Sequence, residues 1–169
     1  VMYANNEIGT VQPIAEISKI VKAVRLERAK KGNKLPFYFH TDACQAPNYL
    51  HVLTSTLGVD MLTLNAGKIY GPKQCGALFL RTGIGLEPIV DGGGQERGLR
   101  SGTENVANIV GFAAALKETH SLRDKEARRQ AEMQREAFSF IAKNTQWQIN
   151  GSTKYRLPNN IHLSITGTD

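Results

Sequence analysis

Val59-Asp-Met-Leu-Thr-Leu-Asn-Ala-Gly-Lys-Ile-Tyr-Gly-Pro-Lys73 is the stretch around which the rest of the chain arranges itself. Met61 to Leu64 is a short apolar run that reads as a buried strand. It stops at Asn65-Ala66-Gly67, Lys68 follows at once, and Gly71-Pro72 closes the segment. Lysines belong on solvated surfaces, so one at the end of a buried strand asks for a reason. The small residues before it leave room for a flat ligand. A partly desolvated lysine has a lowered pKa and can form a Schiff base with a carbonyl. An ordinary lysine reaching back to water reads the same way, and this segment alone favours that reading.

Upstream, residues 35–42 read as a strand running into an acid. Phe37 and Phe39 alternate with Tyr38 and His40, and Asp42 comes at the carboxyl end. Ala43-Cys44-Gln45-Ala46 follows, small enough for a flat object to approach. Asp42 either caps the next turn or pairs with a ring nitrogen; both stay open here. His40 reads as structural. Residues 50–57 read as a short helix or turn. At the start, residues 1–4 form a strand terminus, and Asn5-Asn6-Glu7-Ile8-Gly9-Thr10 is a polar loop at its carboxyl end. Open α/β sheets keep their ligand sites there. The asparagine pair is either turn chemistry or a binding element. Pro13 opens a helix whose Ile14, Ile17, Ile20, Val21 and Val24 are expected on one buried face. Its basic end, from Arg25 to Lys34, reads as a solvated helix terminus and loop, a partner-binding patch being the minor alternative.

Downstream, residues 76–81 read as a second buried strand and residues 87–90 as a short third. Asp91 to Thr103 is a glycine-rich loop carrying Gln95, Glu96, Arg97 and Arg100. Ser101 or Thr103 is expected to cap a helix over 104–118, a ready phosphate site. Val106, Ile109, Val110, Ala113 and Ala114 are expected inward. His120-Ser121 is read as a break before a second helix over 122–143. Strands follow at 147–149 and 161–165, with a turn at Asn150-Gly151 between them, and the chain ends at Thr168-Asp169 just after the last. Strands alternate with helices to about residue 120, which predicts a parallel α/β layer. A second α+β unit, 121–169, then begins.

The chain has 169 residues, 41% of them apolar, and carries a net charge of +6. That permits a nucleic-acid partner without arguing strongly for one. Cys44 and Cys75 have neither CxxC nor metal-ligand spacing and read as reduced thiols of a cytoplasmic protein. No apolar run approaches the ~20 residues of a membrane span. No signal peptide is read. The chain reads as an internal fragment of something larger.

Four motifs together carry a resemblance: Asn5-Asn6-Glu7-Ile8-Gly9, His40-Thr-Asp42-Ala-Cys-Gln45, Lys68-Ile-Tyr-Gly-Pro-Lys73 and Gly92-Gly-Gly-Gln-Glu-Arg-Gly-Leu-Arg-Ser-Gly-Thr-Glu-Asn105. In this combination the chain resembles the cysteine desulfurases, pyridoxal-phosphate enzymes of the class V aminotransferase group. The resemblance implies an α/β fold of type I, with residues 1–120 in the large domain and 121–169 opening the small one. It implies pyridoxal 5'-phosphate as cofactor, held by Lys68 as a Schiff base. Asp42 would pair with the pyridine nitrogen and Gln45 with the ring oxygen. Asn6 would sit on the cofactor edge near the substrate carboxylate. Thr103 would reach the cofactor phosphate of the partner subunit, so a homodimer is implied. The family commonly has Ser-Gly-His before the lysine. Here Asn65 can still donate to a phosphate, whereas Gly67 cannot replace the histidine. The sulfur-accepting cysteine, the substrate-gripping arginine, the ring-stacking histidine and a phosphate-binding turn have no counterpart in these residues. The implied reaction moves sulfur from L-cysteine to an enzyme persulfide and leaves L-alanine, for iron–sulfur cluster assembly or tRNA thiolation. A sulfur acceptor or scaffold protein is the implied partner; neither a membrane nor direct nucleic-acid contact is expected. Another class V enzyme, a selenocysteine lyase or an aminotransferase, is the nearest alternative, and a basic nucleic-acid-binding domain a distant one.

Overall fold

The computed structural model describes residues 1–143 and 146–167; the reading of Thr168-Asp169 lies outside them. Three strands form the main sheet: β1 (His40–Asp42), β2 (Met61–Asn65) and β3 (Gly76–Leu80), in that spatial order. β1 and β2 are parallel, with Asp42 opposite Thr63. The amino-terminal segment extends the sheet through a parallel bridge between Met2 and Asp42. Of the predicted strand over 35–42 only the last three residues pair.

β3 departs from the expected parallel layer. It runs antiparallel to β2, with Asn65 opposite Gly76. The connection between them is too short for a parallel return, which needs a dozen or more residues. β3 is also not buried: among the described residues it pairs with β2 alone, and Leu78 and Phe79 are exposed. Residues 87–90 form no strand, and Ile89 stands almost fully in solvent. Pro88 cannot donate to a ladder, which fits.

Helix α1 (Ile14–Lys30) packs on the sheet through Ile14 and Ser18, with Ile17 and Val21 half-buried. Ile20 was expected on that face and is exposed. It lies roughly 240° round the helix from Ile14. The core joins Ile14 to Phe39, Ala43, Ala46, Leu57, Val59 and Leu62, with Leu57 closing the short helix α2 (Thr54–Leu57). The basic end of α1 is used internally. Arg25 pairs with buried Asp60 and donates to Phe37 O, Arg28 lies over the Phe37 ring, and Lys31 pairs with Glu27.

Helix α3 (Val106–Ile141) is a single helix of 36 residues. The predicted break at His120-Ser121 is absent because neither residue stops a helix. The Ser121 hydroxyl donates to Glu118 O one turn back. The buried stripe is Phe112, Thr119 and Arg123, with Ala115 and Leu116 half-buried. Val106, Ile109 and Val110 face solvent instead of the core. This part of the helix is apolar on both faces, so periodicity could not choose between them. The face that packs is the one meeting Ala66 and Ile69. Among the described residues no helix is long and apolar enough to cross a membrane.

A second, two-stranded sheet pairs β4 (Trp147–Ile149) with β5 (Leu163–Ile165). Residues 150–160 dock on the first polar loop: Leu157 N–H donates to Gly9 O at 2.8 Å and Asn160 Nδ2 to Glu7 O at 2.6 Å. Arg156 holds this junction. It donates to Ser152 O at 2.8 Å and Asn160 Oδ1 at 2.9 Å, and lies over the Phe138 ring.

Candidate functional site

Parallel pairing brings the carboxyl ends of residues 1–4, β1 and β2 side by side. The loops that leave those ends are therefore neighbours, and five of the six predicted site residues lie on them: Asn6, Asp42, Gln45, Asn65 and Lys68.

Asp42 ends β1, half-buried. Its Oδ1 accepts the Cys44 main-chain N–H at 2.9 Å, which is the turn-capping role. One carboxylate oxygen is thus committed to the main chain of the turn, and no described main-chain N–H holds the second. The turn is fixed further by Ala43 N–H on Thr63 O and Ala46 N–H on Ala43 O, both 3.0 Å. Ala43 and Ala46 are fully buried, and half-buried Gln45 stands between them. His40 contacts the Thr63 hydroxyl through Nε2 at 2.7 Å, the structural role expected of it.

The Cys44 thiol lies among these groups. Burial pushes its pKa up, its hydrogen bond to Asp42 and the Asp42 charge push it further, and the Lys68 charge opposes them, leaving it at about 12. Asp42 and Lys68 both act on this one thiol, so their charges share one neighbourhood. At neutral pH Cys44 is protonated and is not a thiolate nucleophile. Cys75 packs against the Ala66, Ile69 and Phe112 cluster.

β2 runs directly into a tight turn, Ala66–Lys68. Asn65 caps it: its Oδ1 accepts Gly67 N–H at 2.9 Å, so the Nδ2 amide is the group it can offer outward. The turn closes on buried Ala66, whose carbonyl accepts from both Ile69 and Gly71. Tyr70 is held at φ +62°, a conformation unfavourable for a bulky side chain. Such conformations persist where the surroundings over-determine them, often at functional sites. Lys68 itself is exposed, against the expected partial desolvation. Gly67 beside it has no side chain and Asn65 is exposed, so nothing there covers the ammonium. Any special chemistry at Lys68 rests on its neighbours, not on burial.

In the first loop the asparagine pair divides its roles. Asn5 Oδ1 accepts the N–H groups of Glu7 and Ile8 at 2.9 and 2.8 Å, turn chemistry, while Asn6 is exposed. Thr103 stands apart. It is exposed in the loop before α3, and no described hydrogen bond joins it to the other five. Neither Ser101 nor Thr103 caps α3; Asn105 does, accepting from Asn108 N–H at 3.2 Å. Buried Ser101 instead accepts Gly94 N–H within the glycine-rich loop.

Sequence reasoning passed over Asn48, whose Nδ2 donates to the Lys68 carbonyl at 2.9 Å. An asparagine in a turn carries no signal of such a partner, twenty residues away. Chemically, the five site residues on these loops offer one primary amine, one carboxylate and three amides. That donor set fits a flat heteroaromatic carbonyl compound with a protonated ring nitrogen and an anionic substituent.

The sequence pattern of the family described as Aminotransferase class-V matches residues 1–169. A protein named cysteine desulfurase IscS, from Dictyoglomus turgidum, is 42% identical over 166 residues, covering 98% of this chain and 39% of that protein. Among solved structures, the NifS-like protein from Rickettsia africae ESF-5 superposes with a TM-score of 0.88 at 32% identity, over 99% of this chain and 44% of that one. A structure described as SspA in complex with cysteine gives a TM-score of 0.71 at 31% identity, over 97% of this chain and 42% of that one. The chain thus spans about two-fifths of the length of these relatives.

Proposed function

The chain belongs to the class-V aminotransferase family, with the type I fold of its pyridoxal-phosphate enzymes, and from that premise we propose that it is the cofactor-binding section of a cysteine desulfurase. The observation that carries the reading is the convergence of Lys68, Asp42, Gln45, Asn65 and Asn6 on three adjoining loops. That donor set fits pyridoxal 5'-phosphate group for group. The Lys68 amine would take the aldehyde, the second Asp42 oxygen the ring nitrogen, Gln45 the ring oxygen, and Asn65 Nδ2 the phosphate. When bound, the cofactor supplies an electron sink for bond cleavage at the substrate's α-carbon.

The chain's own residues bind, orient and move protons. Asp42, held by the Cys44 N–H, would orient its second oxygen toward the ring nitrogen and keep a proton there. Lys68 Nζ takes up and returns the proton exchanged at the substrate. Asn6 orients the substrate carboxylate. Thr103, set apart in this chain, serves the phosphate of a partner subunit in a homodimer. The net reaction passes the sulfur of L-cysteine to an enzyme thiolate. The C–S bond breaks, an S–S bond forms, and a proton takes the place of sulfur, giving L-alanine and a persulfide. Protonated Cys44 and packed Cys75 are unsuited to that thiolate role, so it falls to a cysteine elsewhere in the polypeptide. The structure described with bound cysteine supports L-cysteine as substrate. We assign the persulfide to a sulfur-acceptor or scaffold protein of iron–sulfur assembly or tRNA thiolation in the cytoplasm. Residues 1–120 belong in this reading to the large domain and 121–169 to the small one, with α3 continuous across the division.

The test is to give the full-length polypeptide pyridoxal phosphate and L-cysteine and measure alanine and sulfide. Alanine formed with equal sulfur release is the expected result. Amino transfer to a keto acid without sulfur release would contradict it.

A further inference from the structure

Two loops must keep a fixed spacing for this site to work: the 43–50 turn, with Asp42 and Gln45, and the 65–71 turn, with Lys68. Each is closed internally. The first closes through Cys44 on Asp42 and Ala46 on Ala43, then Tyr49 and Leu50 on Ala46. The second closes through Gly67 on Asn65, and Ile69 and Gly71 on Ala66. The Ala66 carbonyl therefore takes two donors, while the Lys68 carbonyl takes a donor from the other loop: Asn48 Nδ2 at 2.9 Å. Asn48 is half-buried and sits three residues after Gln45, on a turn that is itself fixed to β2 by Ala43 N–H on Thr63 O. The strained Tyr70 lies two residues beyond Lys68, in a segment that needs bracing from outside.

We propose that Asn48 is a positioning residue: by holding the Lys68 main chain against the Asp42–Gln45 turn, it sets where the lysine amine stands relative to the other cofactor-holding groups. The role rests on the cofactor reading above. Asn48 touches neither substrate nor cofactor in it and acts only through Lys68. An amide can donate to this carbonyl. A carboxylate at the same place is an acceptor only and would face the carbonyl oxygen with no proton between them.

The test uses the full-length polypeptide as wild type, Asn48→Ala, Asn48→Asp and Lys68→Ala, each titrated with pyridoxal phosphate. The readouts are the dissociation constant, the pH midpoint of the visible Schiff-base band, and the melting temperature. Asn48→Ala should bind about three- to tenfold more weakly, the worth of one net hydrogen bond. The band's midpoint should move by about half a pH unit or more, because a displaced lysine changes its electrostatic surroundings. Asn48→Asp should weaken binding about tenfold or more. Unchanged affinity and midpoint in Asn48→Ala, with the band lost in Lys68→Ala, would overturn the role of Asn48 alone. Weaker binding that tracks a lowered melting temperature, with the midpoint unmoved, would reduce Asn48 to a structural residue and overturn it too. A wild type without a Lys68-dependent band would overturn the cofactor reading, and Asn48's role with it.

Discussion

At the amino end of β2, the Asp60 carboxylate is buried and fully partnered. It accepts Phe39 N–H at 2.7 Å, pairs with Arg25, and pairs with Arg81 at 3.2 Å. At the carboxyl end, Asp42, Asn65 and Asn48 each give one group to the backbone, and Lys68 and Asn65 stand in solvent. The two ends lie within one stretch of fifteen residues, Val59 to Lys73, and its neighbours. At the first end the polar groups satisfy one another, and burying them is tolerable only because they do. At the second the fold holds side chains in place while leaving an amine, a carboxylate oxygen and amides unengaged by the backbone turns. An arrangement of that kind adds little to folding and suits a ligand. The two ends should therefore fail differently when cut.

The largest effect is expected at the ligand end. In the full-length polypeptide, Asp42→Ala should lower turnover about a hundred- to a thousandfold, the usual cost of removing one preorganised electrostatic partner. Cys44→Ala should stay within about threefold, because the main-chain N–H bond to Asp42 survives the change and only the weak thiol contact to it is lost. Steady-state alanine formation reads both. Equal losses would erase the distinction between Asp42 and its neighbour.

The Asp60 end should answer in stability. Asp60→Ala removes the acceptor of three groups and should cost about 2–3 kcal/mol in denaturant unfolding. The loss stays in that range because Arg25 and Arg81 can turn to solvent. Burial alone would raise the Asp60 pKa. Arg25 and Phe39 as donors, with the charges of Arg25 and Arg81, outweigh burial and hold it below the ordinary value. A lowered folded-state pKa means stabilisation that is complete above the unfolded value of about 4 and is lost as pH falls through the folded value. Wild type should accordingly weaken below about pH 4, and Asp60→Ala should lack that part of the slope.

The smallest effect is expected between the two ends. Thr41 is fully buried on β1 and its hydroxyl has no hydrogen-bond partner among the described residues. Thr41→Val keeps the shape and removes the unpaired group, so it should stabilise by about 1 kcal/mol with turnover unchanged. Thermal unfolding measures it; a loss of stability would mean that the hydroxyl has a use.

Much of the ligand end was legible in the sequence. The apolar run, the acid ending the preceding strand and the small residues after each are local signals, and β1 and β2 pair as those signals require. What was hidden depends on tertiary choice. The direction of β3 follows from a short connection, not from its own residues. The packed face of α3 could not be told from a helix apolar on two sides. Asp60 looks like any polar residue before a strand until Arg25 and Arg81 arrive from elsewhere. Lys68 was expected to be partly desolvated because it follows a buried strand, yet the turn Ala66–Lys68 carries it out to solvent within three residues.

The most direct measurement is to load the full-length polypeptide with pyridoxal phosphate, reduce it with borohydride, and map the pyridoxyl group by peptide mass spectrometry. One modified residue, Lys68, is expected, with no trapped product in Lys68→Ala, which should fold as well as wild type because the side chain is exposed. Trapping at Lys73 or another lysine, or trapping that survives in Lys68→Ala, would contradict the assignment of Lys68.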